Sequence, residues 1–497
     1  MPKQIAIIGA GIGGLSAAVA LAAKGYNVEI FEQNAIPGGK LGVIEQDGYR
    51  FDSGPSLFTQ PDYHAELFAL AGERQSDHFT YQRLEEVCRY HFPDGTRING
   101  YSDPQRLAKE LSDKLGESEQ VIINYLKRSA EKFNIAGDIF LNNPLQKVST
   151  YLHRKVAISL LRMPRLQMFK SLHHLNGHTF RHPHTIQLFD RYATYNGSDP
   201  HKASALYSMI PSFEHGQGAY FPDKGMHSIA TSIAALAQRQ GVRINYNSPV
   251  QSLELEEGGG FKLIANGQMI EIDAVINNVD INTFYNHILK TLGPRPERAL
   301  AQPRSTSALV FYWGIKKQFP ALILHNIFFS VDYQKEFRQI IDEGRPADDP
   351  TIYLNITSKH LPTDAPAGCE NWFVMVNMPP DLGLSDEATI LATRQKVLSK
   401  LERMLGIAIE PLIANESVLT PQLLQDRTGA YDGALYGSNS NSLLSGFWRH
   451  PNFSNAYPGL YFAGGTVHPG GGIPLAIKSG LIAARLACTA QSMEHNS

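Results

Sequence analysis

Residues 4–14 read Gln-Ile-Ala-Ile-Ile-Gly-Ala-Gly-Ile-Gly-Gly, and this stretch decides the fold. Its first five residues are a short apolar run that predicts a buried parallel strand. The Ala- and Leu-rich residues 15–24 predict a helix that ends at Gly25, a suitable C-cap. Residues 27–31 predict a second strand, so the segment forms one βαβ unit of about 30 residues.

The glycines between the first strand and the helix fit the G-x-G-x-x-G arrangement of a dinucleotide-binding turn. We expect Gly9 to permit the tight turn, Gly11 to let the backbone approach a pyrophosphate, and Gly14 to allow close packing of helix and strand. The helix N-terminus would stabilise the phosphate charge. Glu32 ends the second strand, 18 residues beyond Gly14. Its carboxylate would accept both ribose hydroxyls and repel a 2′-phosphate, which argues against NADP.

A second glycine pair directly follows the second strand and favours FAD over NAD. Gly38 and Gly39 stand in the sequence Pro-Gly-Gly-Lys-Leu, where they let another backbone segment approach the cofactor. Lys40 is placed to meet a phosphate. Residues 48–55 then read Gly-Tyr-Arg-Phe-Asp-Ser-Gly-Pro, which predicts a strand that ends in a turn. In this order, after a dinucleotide turn, the features favour a flavoprotein.

The C-terminal region carries a second strong signal. Residues 459–462 predict a strand, and residues 463–474 form the loop Ala-Gly-Gly-Thr-Val-His-Pro-Gly-Gly-Gly-Ile-Pro. A helix follows, with Pro474 suited to its first turn. The loop permits close cofactor approach, and the partial positive charge at the helix start would favour an anionic reduced flavin.

The composition limits the remaining possibilities. The chain has 497 residues, 45 Lys and Arg, 47 Asp and Glu, and a net charge of −2. No charge excess points to nucleic acid, so we predict no nucleic acid partner. The hydrophobic share of 43% argues against disorder, and three cysteines without a C-x-x-C pair argue against a disulfide-rich secreted protein. The length indicates roughly three domain-sized units.

The sequence predicts no membrane-spanning segment. The apolar run begins at Ile5, which leaves no room before it for the parts of a signal peptide. No uncharged apolar stretch reaches the roughly 20 residues that span a bilayer. Residues 470–488 come nearest, but Lys478 and Arg485 interrupt them. We therefore expect a soluble or peripherally attached protein.

Residues 144–189 form a basic stretch without Asp or Glu, in which basic and apolar side chains interleave. In a nearly neutral chain this pattern predicts a surface that meets anionic lipid. A solvated face of a core helix and a groove for an acidic partner remain alternatives. The basic residues are Lys147, Arg154, Lys155, Arg162, Arg165, Lys170 and Arg181.

A cluster of histidines lies in the C-terminal part of this stretch, at positions 173, 174, 178, 182 and 184. His178 and His182 have the i,i+4 spacing of helical metal ligands. However, Pro183 disrupts a helix there, and no carboxylate or thiolate joins the histidines within the stretch. We therefore predict no metal site.

The rest of the chain predicts helical segments followed by segments rich in strands. Residues 100 to about 140 predict two helices separated at Gly116. A helix at 227–240 and strands up to residue 276 indicate that the nucleotide-binding domain resumes after an insertion. A predominantly β substrate domain then precedes a helix at 387–405. Its strands are predicted at 308–315, 325–331, 351–357 and 371–378.

Over nearly its full length the chain resembles the bacterial FAD-dependent carotenoid desaturases, which include phytoene, diapophytoene and hydroxycarotenoid desaturases. Residues 38–40, 51–56, 220–226 and 466–474 carry the resemblance. It implies FAD as cofactor and long acyclic polyenes as substrates. The implied α/β fold has a discontinuous Rossmann-type FAD-binding domain, an inserted mixed β-rich substrate domain and a helical, membrane-associated region.

The resemblance also implies a domain layout and a set of cofactor contacts. The FAD-binding domain takes 1–75, 216–285 and 431–497, the substrate domain 76–100 and 286–430, and the helical membrane-associated and substrate-entry region 101–215. Thr466 replaces an Asp of many other flavoproteins, so backbone N–H groups would make the ribityl or phosphate contact there. The implied FAD contacts are Gly9, Gly11, Gly14, Glu32, Gly39, Lys40, Val250, Gly465, Thr466 and Ile473, with Val250 acting through its backbone towards the adenine.

The reaction that the resemblance favours is 3,4-desaturation of a hydroxylated acyclic polyene end, because residues 37–41 and 51–59 look most like enzymes of that type. Phytoene or diapophytoene desaturation is the alternative. A carotenoid isomerase, another flavin oxidase such as an amine or protoporphyrinogen oxidase, and a non-catalytic binding protein are further ones.

Desaturation transfers a hydride to the flavin and releases a proton from the neighbouring carbon. The conjugated polyene stabilises developing positive charge, so a strong protein base is not required. The motifs identify no catalytic residue. His468 is the one candidate acid or base, with a structural role as its alternative. A single nucleotide fingerprint predicts oxygen or a quinone, rather than NAD, as electron acceptor. The resemblance and the basic stretch together imply a cytoplasmic enzyme held peripherally at the cytoplasmic membrane.

Overall fold

The computed structural model describes residues 4–137, 141, 143, 144, 156, 159, 161–291, 293–442 and 449–494. The strands are, in chain order, β1 (Gln4–Ile8), β2 (Asn27–Phe31), β3 (Val43–Gln46), β4 (Tyr49–Asp52), β5 (Phe58–Thr59), β6 (Tyr81–Arg83), β7 (Glu86–His91), β8 (Arg97–Tyr101), β9 (Ala219–Pro222), β10 (Arg243–Asn245), β11 (Val250–Leu255), β12 (Phe261–Ala265), β13 (Gln268–Ile272), β14 (Ala274–Asn277), β15 (Ser307–Ile315), β16 (His325–Phe328), β17 (Ile352–Asn355), β18 (Glu370–Met378), β19 (Ile413–Leu419) and β20 (Leu460–Phe462). The α-helices are Ile12–Ala22, Asp62–Leu70, Pro104–Leu115, Glu119–Ala136, Leu172–Thr179, Pro183–Asp190, Ser228–Arg239, Ile281–Thr283, Glu297–Leu300, Tyr333–Phe337, Glu387–Leu405, Pro421–Thr428 and Ile473–Glu494.

A five-stranded parallel sheet carries the N-terminal βαβ unit. Its order is β10-β2-β1-β14-β20, so three distant parts of the chain supply its strands. β1 is buried along most of its length because helices cover one face of the sheet and the antiparallel strands β11–β13 cover the other. The strands predicted at 4–8 and 27–31 are confirmed. The helix predicted at 15–24 is observed at Ile12–Ala22, since Gly11 is its N-cap and the glycines of the turn enter its first turn.

The first and last helices pack closely beside this sheet. A Cβ placed on Gly480 would lie 2.3 Å from the carbonyl oxygen of Gly13 and 2.9 Å from the amide nitrogen of Ala17. Only a glycine lets the two backbones approach so closely. This contact brings the start of the helix Ile473–Glu494 beside the glycine turn at the other end of the chain.

A seven-stranded sheet forms the second layer, in the order β19-β15-β18-β17-β16-β7-β8. One face packs on the helix Glu387–Leu405 through an apolar core that includes Trp313 and Trp372. The other face carries Tyr312, Phe373 and Met375 and packs against β4. The four strands predicted between residues 308 and 378 are present, whereas no strand was predicted for β7, β8 or β19. Strand β8 extends to Tyr101, and the first of the two predicted helices begins at Pro104.

Helices between residues 104 and 190 cover one end of the seven-stranded sheet. Leu111, Ile122 and Phe189 belong to a core that also contains Tyr90 and Ile327 of the sheet. The helix predicted to reach about Phe140 is described to Ala136, and residues 138–140 lie outside the described part. No helix among the described residues has the length and apolar character needed to cross a membrane.

Candidate functional site

The first glycine turn leaves the start of a helix uncapped. Gly9 has a φ of +95°, and its N–H donates to Phe31 O at 2.8 Å. A Cβ on Gly14 would lie 2.3 Å from the oxygen of Gly9, so this position excludes any side chain. Gly11 is the N-cap residue of this helix and has no side chain with which to cap it. The N–H groups of the first turn therefore present an anion-binding end at the carboxyl edge of the parallel sheet.

Asn278 is the side chain around which the glycine turns pack. It follows β14, and its N–H donates to Ile8 O at 2.9 Å. A Cβ on Gly11 would come within 2.6 Å of Asn278 Nδ2, and a Cβ on Gly13 within 2.6 Å of Asn278 Oδ1. A Cβ on Gly464 of the C-terminal loop would meet the same amide, at 2.8 Å from Oδ1. No motif in the sequence assigns a role to Asn278, although a polar pair directly after an apolar strand was a signal for one.

Glu32 lies at the end of β2 and is buried. Its Oε2 accepts the N–H of Ala10 at 2.7 Å, and its Oε1 accepts the N–H and the Nδ2 of Asn34 at 2.9 and 2.8 Å. These bonds fix the carboxylate at the glycine turn and leave lone-pair capacity on Oε2. The carboxylate can therefore accept a further hydroxyl there.

The second glycine pair lies directly against the first turn. Gly38 has a φ of +122°, and its N–H donates to Ala10 O at 2.9 Å. Among the described residues, a Cβ on Gly39 would come near the Cα of Gly11, at 3.5 Å. Lys40 reaches across to the C-terminal part of the chain, where its Nζ donates to Ala434 O at 3.1 Å and to Leu435 O. Burial lowers the pKa of Lys40 to about 8.

Val250 begins β11, and the loop before it lies at the carboxyl end of β2. The preceding loop is tied to Glu32, because the N–H of Ser248 donates to the carbonyl oxygen of Glu32 at 2.7 Å. Asn247 donates to Asn34 O at 3.1 Å in the same way. The backbone before Val250 therefore lies next to the carboxylate that was predicted to hold the ribose.

The C-terminal loop closes the other side of the glycine turns. The N–H of Gly464 donates to Ser479 Oγ at 3.1 Å, which joins the start of the loop to the last helix. Thr466 and Ile473 are buried, and Ile473 begins that helix. Gly465 meets Gly471 across the loop, where a Cβ on Gly465 would lie 3.3 Å from the Cα of Gly471.

Arg449 connects this loop to the helical region and was not singled out by sequence analysis. It is buried, and its Nη1 donates to Gly465 O at 3.3 Å. Its Nη2 donates to Ser438 O at 3.0 Å and to Asn196 Oδ1 at 3.1 Å. Burial lowers the pKa of Arg449. These partners are distant in sequence, so no local pattern could have shown them.

His468, the candidate acid or base, is buried within the loop. Its Nε2 lies 2.9 Å from Asn143 O, a geometry in which the ring donates to a carbonyl. Its backbone oxygen accepts Asn452 Nδ2 and Ser479 Oγ, each at 2.8 Å. This environment favours the structural role, and a proton-transfer role stays an untested prediction.

The histidines of the basic stretch have individual partners. His178 Nδ1 lies 2.8 Å from His174 O, and His184 Nε2 lies 2.8 Å from Asp94 Oδ2. Among the residues that the structure describes, no group of three or more His, Cys, Asp or Glu side chains is arranged to hold a metal ion.

Three features fit an FAD molecule at this edge of the sheet. The uncapped helix start suits a pyrophosphate, and the buried Glu32 suits a ribose. The facing glycines at 11 and 39 carry no side chain, so a ligand can approach both backbones. The glycine turns, Glu32 and the C-terminal loop therefore form one site from three distant segments, whereas Lys40 is engaged with carbonyl groups.

We expect the substitution Glu32→Arg to weaken FAD binding by about tenfold or more, because it removes a charged acceptor for a ribose hydroxyl. FAD affinity is measured by quenching of flavin fluorescence on titration of the apoprotein. Glu254→Arg is the control, because it changes an exposed glutamate on β11. Unchanged FAD affinity in a folded Glu32→Arg variant would refute the assignment of Glu32.

The comparisons with known proteins agree with this site. Residues 12–488 match the family described as flavin containing amine oxidoreductase. The chain is 43% identical to a 1-hydroxycarotenoid 3,4-desaturase of Flavobacterium sp. (strain P99-3), over 97% of this chain and 99% of that protein. It is 31% identical to a 4,4'-diapolycopene oxygenase of Methylomonas sp, over 96% of each chain.

A solved structure shows the same fold. A variant of putrescine oxidase superposes with a TM-score of 0.63 at 17% identity, over 99% of each chain. The chain therefore belongs to the flavin containing amine oxidoreductase family and, within it, to the bacterial FAD-dependent carotenoid desaturases that its motifs resemble.

Proposed function

We propose that the protein is an FAD-dependent carotenoid desaturase that introduces a 3,4 double bond into the hydroxylated end of an acyclic polyene. The observation that carries this proposal is the full-length similarity to a relative named for that reaction, at 43% identity. The dinucleotide site at the edge of the parallel sheet supplies the place for the cofactor.

The chain's own residues provide binding, orientation and exclusion of water. Bound FAD supplies the hydride acceptor that oxidation of a CH–CH pair requires. The sheet face that carries Tyr312, Phe373 and Met375 is apolar and aromatic, which suits a polyene. β4, which precedes the Gly54 turn, packs on that face. Gly54 lies against the Lys40 backbone, since a Cβ on Gly54 would lie 1.8 Å from Lys40 O.

The proposal is tested by incubating the FAD-loaded protein and liposomes with acyclic, monocyclic and hydroxylated carotenes. We expect the hydroxylated acyclic polyene to lose two hydrogens and its absorption to shift to the red, because conjugation lengthens. A product of unchanged mass would indicate isomerisation, and a product that has gained oxygen would indicate the oxygenase chemistry for which a relative is named. Either result would contradict the proposal.

We further propose that the electrons leave the reduced flavin to oxygen or to a membrane quinone. The sequence contains one dinucleotide fingerprint, and the C-terminal loop completes that same site. The same assay, run without oxygen, should proceed when a quinone is added. Strict dependence on added NAD, with the quinone inactive, would exclude this acceptor.

We also propose that the protein sits peripherally on the cytoplasmic membrane through the basic stretch at 144–189. In its described part, Leu161 and Phe169 are 84% and 82% exposed, on either side of Arg162 and Arg165. Exposed apolar side chains beside cations suit insertion into an anionic lipid surface. Lys147, Arg154 and Lys155 lie outside the described residues. On the membrane, a polyene substrate could enter the protein directly from the lipid without crossing water.

Membrane docking predicts that Arg162→Glu/Arg165→Glu weakens binding to anionic liposomes by about tenfold or more at low salt, because each cation near such a surface contributes about 1 kcal/mol. Phe169→Ser should weaken liposome binding at low and high salt alike, because it removes an apolar contribution that salt does not affect. Cosedimentation at low and high salt measures both. The control is Lys316→Glu/Lys317→Glu, at exposed positions after β15. Equal binding by wild type and the Arg162/Arg165 variant would refute this surface.

A further inference from the structure

A buried polar cluster lies between the seven-stranded sheet and the helices that cover its end, outside the FAD site. We define the Arg191 cluster as Arg191, Glu214, Tyr90, Tyr192 and Tyr195. Arg191 Nη2 donates to Glu214 Oε2 at 3.2 Å and to Tyr90 Oη at 3.0 Å. The hydroxyl groups of Tyr192 and Tyr195 also donate to the Glu214 carboxylate. Arg191 is 8% exposed and Glu214 is 1% exposed.

One hydrogen-bond donor of the Arg191 cluster lacks an acceptor among the described residues. The Nε–H of Arg191 is buried and has no hydrogen-bond partner among the described residues. A buried donor without an acceptor costs about 1–3 kcal/mol, and most buried polar groups avoid that cost. The ion pair with Glu214 and the three tyrosine rings hold the guanidinium in place. The free donor is therefore fixed in position rather than flexible.

His325 supplies a second buried donor without a partner. The ring is 2% exposed, and Nε2 has no hydrogen-bond partner among the described residues. Asn355 Nδ2 donates to Leu324 O at 3.0 Å, which fixes the orientation of the amide, and it also lies 3.0 Å from His325 Nδ1. Nδ1 is therefore an acceptor, and the proton of the neutral ring lies on Nε2. Burial lowers the pKa of His325 to about 3, so the ring is neutral at pH 7.

The strand register places both donors on one side of the seven-stranded sheet. Ile327 pairs with Tyr90 on one neighbouring strand and with Tyr353 on the other, and His325 lies two residues before Ile327. Side chains at such positions share a face. Arg191 bonds to Tyr90 on this face, and the Arg191 charge contributes to the lowered pKa of His325. The two donors therefore lie in the same polar neighbourhood.

This neighbourhood reaches the loop next to the FAD site. Tyr353 Oη lies 2.8 Å from His325 Nδ1 and 2.5 Å from Ser56 Oγ. Ser56 follows the Gly54 turn that packs on Lys40. In a 1-hydroxy polyene, a single carbon separates the hydroxyl-bearing carbon from the 3,4 bond. A hydroxyl site must therefore lie close to the flavin, and Ser56 connects this polar neighbourhood to the loop that packs on Lys40.

We propose that Arg191 Nε and His325 Nε2 bind the hydroxyl oxygen of the substrate end and determine specificity for hydroxylated polyenes. The inference rests on the proposed function. An alcohol oxygen has two lone pairs and can accept one hydrogen bond from each donor. The unhydroxylated polyene leaves both donors unpaired, so the site rejects it, whereas an apolar pocket would not distinguish the two ends strongly.

The test replaces His325 with two amides. His325→Asn keeps a polar atom near the Nδ1 position and removes the Nε2 donor, whereas His325→Gln places an N–H near the Nε2 position. kcat/KM is measured for an acyclic polyene with a tertiary hydroxyl at C1 and for the same polyene without it, in vesicles. The preference of His325→Asn for the hydroxylated polyene should fall by about tenfold, the effect of one lost hydrogen bond. Turnover of the other polyene should not fall, because that polyene makes no hydrogen bond to Nε2, and His325→Gln should recover most of the preference.

His91→Asn is the matched control. His91 lies on the adjacent strand β7, is also buried, and also has an Nε2 without a partner among the described residues. Its ring stacks on Phe328 at 4.4 Å, on the opposite face of the sheet. Loss of this ring should leave the preference between the two polyenes unchanged.

Two outcomes would overturn the proposal: a wild type without preference for the hydroxylated polyene, or a His325→Asn variant that loses both activities by the same factor. Equilibrium binding of both polyenes to the FAD-loaded protein, followed by quenching of tryptophan fluorescence, is measured in parallel. If the wild type desaturates neither polyene, the proposed function fails. The ratio of the two dissociation constants in wild type and His325→Asn then still decides whether the hydroxyl site exists.

Discussion

The close approach of three backbone segments to the amide of Asn278 is the constraint on which the rest of the structure depends. Gly11, Gly13 and Gly464 meet this side chain at distances that leave no space for a Cβ. The first two belong to the N-terminal turn and the third to the C-terminal loop. A site for a dinucleotide forms only when the ends of β1, β14 and β20 lie side by side, which the parallel sheet provides.

Two cations, Lys40 and Arg449, join the remaining segments to this centre. Lys40 Nζ donates to the carbonyl groups of Ala434 and Leu435, and Arg449 donates to Gly465, Ser438 and Asn196. Each cation lies among backbone carbonyls, whose dipoles offset part of the cost of removing its charge from water. The helical region and the C-terminal loop are thereby held together beside the cofactor edge.

The parts that sequence patterns could predict are those with local causes. The βαβ unit, the glycine spacing, Glu32 and the C-terminal loop are each encoded within about 30 residues, and the structure contains them. Asn278, Arg449 and the Arg191–Glu214 pair were missed because their partners are remote, as in the contact between Arg449 and Asn196. His468 was the candidate acid or base because it is a titratable residue in a glycine loop, yet its ring donates a hydrogen bond to a backbone carbonyl. Only tertiary packing distinguishes these two roles.

A double-mutant cycle on Gly11 and Asn278 tests the central claim most directly. FAD dissociation constants are measured for the wild type, Gly11→Ala, Asn278→Ala and the double variant. If the two residues pack against each other to form the site, the loss of binding in the double variant should be smaller than the sum of the single losses, by about 0.5–3 kcal/mol. Losses that add would contradict the account, because Gly11 and Asn278 would then act independently.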